Sequence, residues 1–90
     1  MTARGRFEVV NELGLHARAA ARLVQAASGY QSQVNVAKDG RVVDGKSIMG
    51  LLLLCGQRGS FLDIIAEGPD EAEAVEALGA IIRGRFGEER

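Results

Sequence analysis

The sequence is poor in the residues that build disulfides and metal centres, and its apolar runs are short. Among 90 residues there is one cysteine, Cys55, one histidine, His16, and no tryptophan. A single cysteine excludes an intrachain disulfide, and no Cys/His group has metal-ligand spacing, so neither a metal nor another cofactor is expected. The longest apolar run, Ile48 to Cys55, falls far short of the roughly 20 residues of a spanning helix. Met1 to Arg6 lacks an apolar signal-peptide core. We therefore expect a cytoplasmic chain with no membrane insertion.

Length and composition fit one small domain. Ninety residues with 47% hydrophobic content allow a single modest core, which excludes a multidomain enzyme, and we expect one domain over residues 1–90 and a monomer. The net charge is −1, yet residues 1–58 carry eight basic and four acidic side chains, and residues 59–90 carry three basic and eight acidic ones. A moderately basic half can steer an acidic protein partner or phosphate toward it. Nucleic acid is not expected, because basic residues form no dense stripe and the aromatics match no RNA-recognition pattern.

The hydrophobic patterns predict seven elements in the order strand, helix, strand, strand, helix, strand, helix. The strands are predicted near residues 4–10, 33–37, 41–43 and 61–67, and the helices near 17–27, 48–54 and from 70 onward. This order indicates an α+β domain in which helices cover one face of an antiparallel sheet. The pattern alone leaves the strand order open, with ferredoxin-like topologies included.

Several residues mark where these elements begin and end. The pair Asp39–Gly40 predicts a two-residue hairpin turn, and Ser47 is expected to cap the second helix. Gly29 is expected to take a left-handed conformation after the first helix. Asp70 with Glu73 resembles a capping box at the start of the last helix.

His16 lies at the predicted start of the alanine-rich first helix, just after Gly14. The unpaired backbone N–H groups and the positive dipole end of a helix favour an anion there, so a phosphoryl group on the imidazole would meet donors from Ala17 and Arg18. Imidazole is a nucleophile that is largely neutral near pH 7, and a guanidinium matches phosphate oxygens in a bidentate fork. His16 and Arg18 are therefore candidate catalytic residues. The alternative is that His16 is an ordinary helix-start residue.

Two motifs resemble those of a known family. The segment Gly14 to Ala20, GLHARAA, is similar to the active-site signature of the HPr family, the histidine-phosphorylated carriers of the bacterial phosphoenolpyruvate-dependent phosphotransferase system. The segment Gly45 to Gly50, GKSIMG, resembles the family's regulatory-serine segment at the expected separation. The family usually has proline at the position of Ala19. Proline is tolerated in the first helical turn but is not required there, so this departure leaves the nucleophile in place.

The resemblance implies an HPr-like domain, with strands ordered 1-4-2-3 in an open-faced sandwich and three helices on one face. It implies that enzyme I donates a phosphoryl group to Nδ1 of His16, that Arg18 contacts the phosphate, and that the group passes to an enzyme IIA domain. The chain would be a carrier with a phosphohistidine intermediate rather than a free-standing enzyme. It also implies regulatory phosphorylation of Ser47 by an HPr serine kinase/phosphorylase. The same motifs fit sugar transport, a nitrogen-related branch or a purely regulatory relay.

A partner-docking surface is expected beside both motifs. It combines the apolar residues Ala17, Ala20, Ile48 and Met49 with the polar residues Arg22 and Gln25 near Arg18. The alternative for Ile48 and Met49 is that they belong to the core, since a methionine suits a core gap as well as an adaptable surface.

A second motif competes with this interpretation. Residues 40–47, GRVVDGKS, satisfy the pattern of a nucleotide-binding P-loop. A P-loop follows a buried parallel strand, whereas here the first glycine belongs to a predicted hairpin turn and Val42 and Val43 favour a strand. The P-loop is therefore the alternative hypothesis, and it would imply a nucleotide-binding module.

Overall fold

The computed structural model describes residues 1–90 and contains a four-stranded antiparallel sheet and three helices. The strands are β1 (Thr2–Glu8), β2 (Gln33–Lys38), β3 (Arg41–Asp44) and β4 (Phe61–Glu67). The helices are α1 (Ala17–Ser28), α2 (Ile48–Leu53) and α3 (Glu71–Arg83), followed by a 3-10 turn (Arg85–Gly87). The strands are ordered β1-β4-β2-β3, so the α+β architecture and the order implied by the resemblance are confirmed. None of these helices has the length and apolar character needed to cross a bilayer.

Alternate residues of the two central strands face a single core. Val34 and Val36 of β2 are fully buried, as are Leu62, Ile64 and Ala66 of β4, while the residues between them are partly or fully exposed. This period of two is what a sheet with one covered face requires. Buried residues of all three helices belong to the same hydrophobic cluster: Leu23 of α1, Leu51 of α2, and Leu78 and Ile82 of α3. The helices therefore cover one face of the sheet.

Short-range signals in the sequence correctly predicted one hairpin turn and one helix cap. Asp39 and Gly40 join β2 to β3 with φ of 50° and 84°, the two positive values that a two-residue hairpin of this kind needs. Ser47 caps α2, and its Oγ accepts a 3.0 Å hydrogen bond from the backbone N–H of Gly50. The predicted bounds of β4 coincide with the observed ones.

Three predictions about element boundaries are wrong. β1 covers Thr2–Glu8 rather than residues 4–10, because Val9 leaves the pairing with β4 and bonds instead to the turn at Gly59 and Ser60. Gly29 has a φ of −78°, so it continues the right-handed geometry of α1. Asp70 makes no capping bond, because its carboxylate accepts hydrogen bonds from residues 31 and 32, far from it in the chain.

The P-loop hypothesis is excluded by the same hairpin. Gly40 lies in the β2–β3 turn, and Val42 and Val43 belong to β3, where they are paired with β2 in the sheet. A backbone held in a strand cannot wrap around a phosphate. Residues 40–47 therefore match the P-loop pattern only in sequence.

Candidate active site around His16

A tight turn presents His16 at the beginning of α1. Gly14 has a φ of 70°, and a Cβ built on it would lie 2.6 Å from the carbonyl oxygen of Gly56. The next residue, Leu15, is buried and donates its backbone N–H to that same oxygen at 2.6 Å. The turn is thus fixed to the loop after α2, and the chain enters α1 with His16 at the N-cap in extended conformation. The imidazole remains 28% exposed.

The first turn of α1 is open to an anion. No side chain caps the helix, and the first turn contains no acidic residue. Ala17 and Arg18 are both exposed and follow His16 directly, as predicted. Their backbone N–H groups are among those that an α-helix leaves unpaired at its N-terminus, where the helix dipole favours negative charge. The structure therefore places the predicted phosphate-binding groups next to the predicted nucleophile.

The site contains two residues that the sequence analysis missed. Glu88 lies 72 positions after His16, and its Oε2 is in hydrogen-bond contact with Nε2 of the imidazole. Its Oε1 accepts a 2.8 Å bond from Nδ2 of the buried Asn11, which also donates to the carbonyl of Gly14 at 2.9 Å. Glu88 reaches His16 because the chain folds back after the last helix. The only sequence signal for this reversal is Phe86–Gly87, an apolar residue followed by a glycine, and it does not indicate which residue Glu88 contacts.

Hydrogen bonding and nearby charge keep Glu88 ionised. The bond with His16, then the bond from Asn11, hold the pKa of the Glu88 carboxyl below its usual range, and the positive charge of Arg18 acts in the same direction. Arg18 and Glu88 line the same shallow cleft as His16. The cleft thus holds the imidazole of His16 among guanidinium and carboxylate groups.

The predicted docking residues divide into three groups. Ile48 and Met49 are 41% and 73% exposed, so the alternative that they are core residues is wrong, and the neighbouring Leu53 is exposed as well. Arg22 and Gln25 are exposed but line a groove between α1 and α3, away from α2. The prediction for Ala20 is wrong. It is fully buried, because it shares the inward side of α1 with Leu23 and Ala27, three and seven positions later.

Comparison with known proteins identifies relatives over almost the whole chain. Residues 3–84 match the family model described as the HPr component phosphorylation site of the phosphotransferase system. The phosphocarrier protein HPr of Cupriavidus necator is 51% identical over 80 residues, which cover 89% of this chain and 90% of the relative. That of Neisseria meningitidis serogroup A is 48% identical over 82 residues, covering 91% and 92%. A crystal structure of HPr from Thermoanaerobacter tengcongensis superimposes with a TM-score of 0.93 at 45% identity, covering 98% of this chain and 99% of the other.

Proposed function

The chain belongs to the HPr family of phosphocarriers of the bacterial phosphotransferase system, and we propose that His16 is the residue that carries the phosphoryl group. The observation that supports this most directly is the position of the only histidine at the uncapped N-terminus of α1. There the imidazole is partly exposed, and the first backbone N–H groups of the helix lie beside it. The proposal extends to residues 1–90 as one domain that works in the cytoplasm.

His16 accepts the phosphoryl group in a displacement reaction at phosphorus. A lone pair on Nδ1 of His16 attacks the phosphoryl group held on enzyme I, the new Nδ1–P bond forms, and the bond between phosphorus and the donor group of enzyme I breaks. The oxygens of the transferred group meet the guanidinium of Arg18 and the backbone N–H groups of Ala17 and Arg18. Transfer to an enzyme IIA domain is the same displacement with His16 as the leaving group. No third substrate enters, so the carrier needs no sugar pocket.

Docking of both partners uses the surface beside the site. Ala17 on α1 and Ile48 and Met49 on α2 supply its exposed apolar part, and Arg18 supplies charge. Arg22 and Gln25 extend it along α1. An apolar patch with a polar and charged rim is the usual composition of a protein interface.

Ser47 is a second, inhibitory phosphorylation site for a serine kinase/phosphorylase. It is the N-cap of α2, so a phosphate there would lie at the positive end of that helix and leave the fold intact. It also directly precedes Ile48 and Met49. A dianion at this place adds repulsion and a desolvation cost when an acidic partner approaches.

Labelling with enzyme I and radioactive phosphoenolpyruvate tests the main proposal. We expect one phosphoryl group per chain, in an acid-labile and base-stable linkage, and none on His16→Ala. Ser47→Ala is the matched control, since it removes a nucleophilic side chain elsewhere and is expected to take the label fully. Stoichiometric label on His16→Ala, or acid-stable label on the wild type, would contradict the proposal.

A further inference from the structure

The last six residues fold back onto the His16 turn and are held there. Arg85, Phe86 and Gly87 all have positive φ, of 59°, 54° and 82°. Two of them are not glycines, and such a run persists only where the surrounding structure enforces it. Phe86 provides that anchor, since its ring is buried in the core with 1% exposure. The reversal therefore directs Glu88 back toward α1.

Backbone hydrogen bonds fix the position of this segment further. The N–H of Glu88 donates to the carbonyl of Arg85 at 2.9 Å, and the N–H of Glu12 donates to the carbonyl of Arg90 at 2.9 Å. The second bond joins the segment to the loop that precedes His16. Residues 85–90 are thus held in place as part of the site.

Asn11 holds the carboxylate of Glu88 in one orientation. Its side chain is fully buried, and Nδ2 donates to both Glu88 Oε1 and the carbonyl of Gly14. Both neighbours are acceptors only, so the amide nitrogen and not Oδ1 has to face them. With Oε1 occupied in this way, Oε2 is the oxygen that meets the imidazole of His16.

This contact determines which ring nitrogen of His16 carries the proton. An ionised carboxylate can only accept, so Nε2 has to be the donor, and a neutral imidazole has only one N–H. Nδ1 then keeps its lone pair, and no hydrogen bond to it is present in the structure. We propose that Glu88, oriented by Asn11, is a positioning residue that fixes the Nε2–H tautomer of His16 and leaves Nδ1 as the nucleophile. This inference rests on the proposed function, because it assigns a role within the transfer step.

The same carboxylate acts during transfer. When the Nδ1 lone pair forms the bond to phosphorus and the bond from phosphorus to the donor group breaks, the proton on Nε2 stays in place and the ring becomes cationic. Glu88 accepts a hydrogen bond from that N–H throughout, and its negative charge stabilises the positive charge that develops. A third group that orients and stabilises a reacting imidazole is a recurrent arrangement in nucleophilic catalysis.

The test compares Glu88→Gln with Glu76→Gln. Glutamine keeps the size of Glu88 but has one oxygen for two donors, so its NH2 group has to face either Asn11 or the imidazole. Glu76→Gln removes the same charge on α3, outside the His16 cleft, where the side chain is exposed and makes no hydrogen bond or ion pair. We measure the rate of label transfer from enzyme I, the thermal unfolding of each variant, and the 15N chemical shifts of the two ring nitrogens of His16 in the neutral state.

In the wild type and in Glu76→Gln we expect a protonated Nε2, an unprotonated Nδ1 and transfer rates within about twofold of each other. In Glu88→Gln we expect a population with protonated Nδ1 and transfer slowed by about tenfold or more, with the protein still folded. Unchanged 15N shifts, or a rate equal to or faster than that of the wild type, would overturn the inference while leaving His16 as the carrier. If the proposed function itself is wrong, the wild type takes no label at all, and the role of Glu88 is then contradicted as well.

Discussion

The turn before His16 depends on Gly14, and the variant Gly14→Ala tests how far. Gly14 has a φ of 70°, which costs an L side chain about 1 to 2 kcal/mol. The added Cβ would lie 2.6 Å from the carbonyl oxygen of Gly56 and 3.0 Å from Cα of Gln57. Both are backbone atoms, so the turn and the loop have to separate. The bond between Leu15 and Gly56 is then lost, at a net cost of about 0.5 to 1.5 kcal/mol.

The expected total loss is roughly 1.5 to 3.5 kcal/mol of the free energy of unfolding, a large fraction of the stability of a small domain. Gly40→Ala is the matched control, because Gly40 has a φ of 84° with nothing within 4 Å of a built Cβ. Gly40→Ala should lose only the conformational contribution, which is the cost of an L residue at positive φ. The difference of about 1 kcal/mol corresponds to about 4 to 8 °C in melting temperature for a domain of this size.

Thermal and urea unfolding measure both variants, and label transfer from enzyme I is then compared at a temperature where both are folded. We expect slower transfer for Gly14→Ala and an unchanged rate for Gly40→Ala, since only the first displaces His16 from the start of α1. Equal losses of stability together with equal transfer rates would refute the argument that the contact with Gly56 holds this turn.

Three further predictions concern single side chains. Arg18→Lys keeps the charge but loses the planar fork, so we expect an unchanged fold and slower transfer, with the activation free energy of transfer raised by at most about 1.5 to 3 kcal/mol. Equal rates would show that guanidinium geometry is dispensable. Ser47→Asp should be folded but slow in accepting label, whereas Ser47→Ala should be fast and about 1 kcal/mol less stable because Gly50 loses its capping acceptor; equal rates would leave Ser47 as a cap only. Hydrogen bonds from Ser32, then Gln31, hold the pKa of the Asp70 carboxyl below its usual range, so its ionised form stabilises the fold above pH about 3.9 and this stabilisation is lost as the pH falls through the lowered pKa. Asp70→Asn should therefore lower the urea midpoint at pH 7 and much less at pH 2.5; an equal loss at both pH values would contradict this.

Local patterns predicted much of the secondary structure because they depend on neighbours along the chain. The alternation in β4 needs only a period of two, the hairpin at Asp39–Gly40 needs only two positive φ values, and the cap at Ser47 reaches only three residues ahead. Helical spacing likewise predicts Ala20 on the buried side of α1, and this is confirmed. It lies three and seven positions before Leu23 and Ala27 on the inward side, so only the prediction that it is a docking residue is wrong.

Long-range contacts explain what sequence patterns missed. The spacing of Asp70 and Glu73 favours a capping box, yet the carboxylate of Asp70 accepts a 2.5 Å bond from Oγ of Ser32 together with backbone N–H groups. The strand order places the loop before β2 beside the start of α3, and these donors compete successfully with the N-terminus of the helix. No pattern within a short window contains both partners.

The order of the elements, the position of His16 at a helix start and, through two motifs, the family could all be predicted from the amino-acid sequence. These features follow from local backbone preferences and from residues close together in the chain. The atoms that face the imidazole depend instead on how distant parts of the chain pack together. The left-handed turn at Arg85–Gly87 and the burial of Phe86 bring Glu88 back across 72 residues to Nε2 of His16, with Asn11 holding the carboxylate. The physical reason is that a hydrogen bond between distant residues forms only after the core has packed, so its geometry is a property of the whole fold.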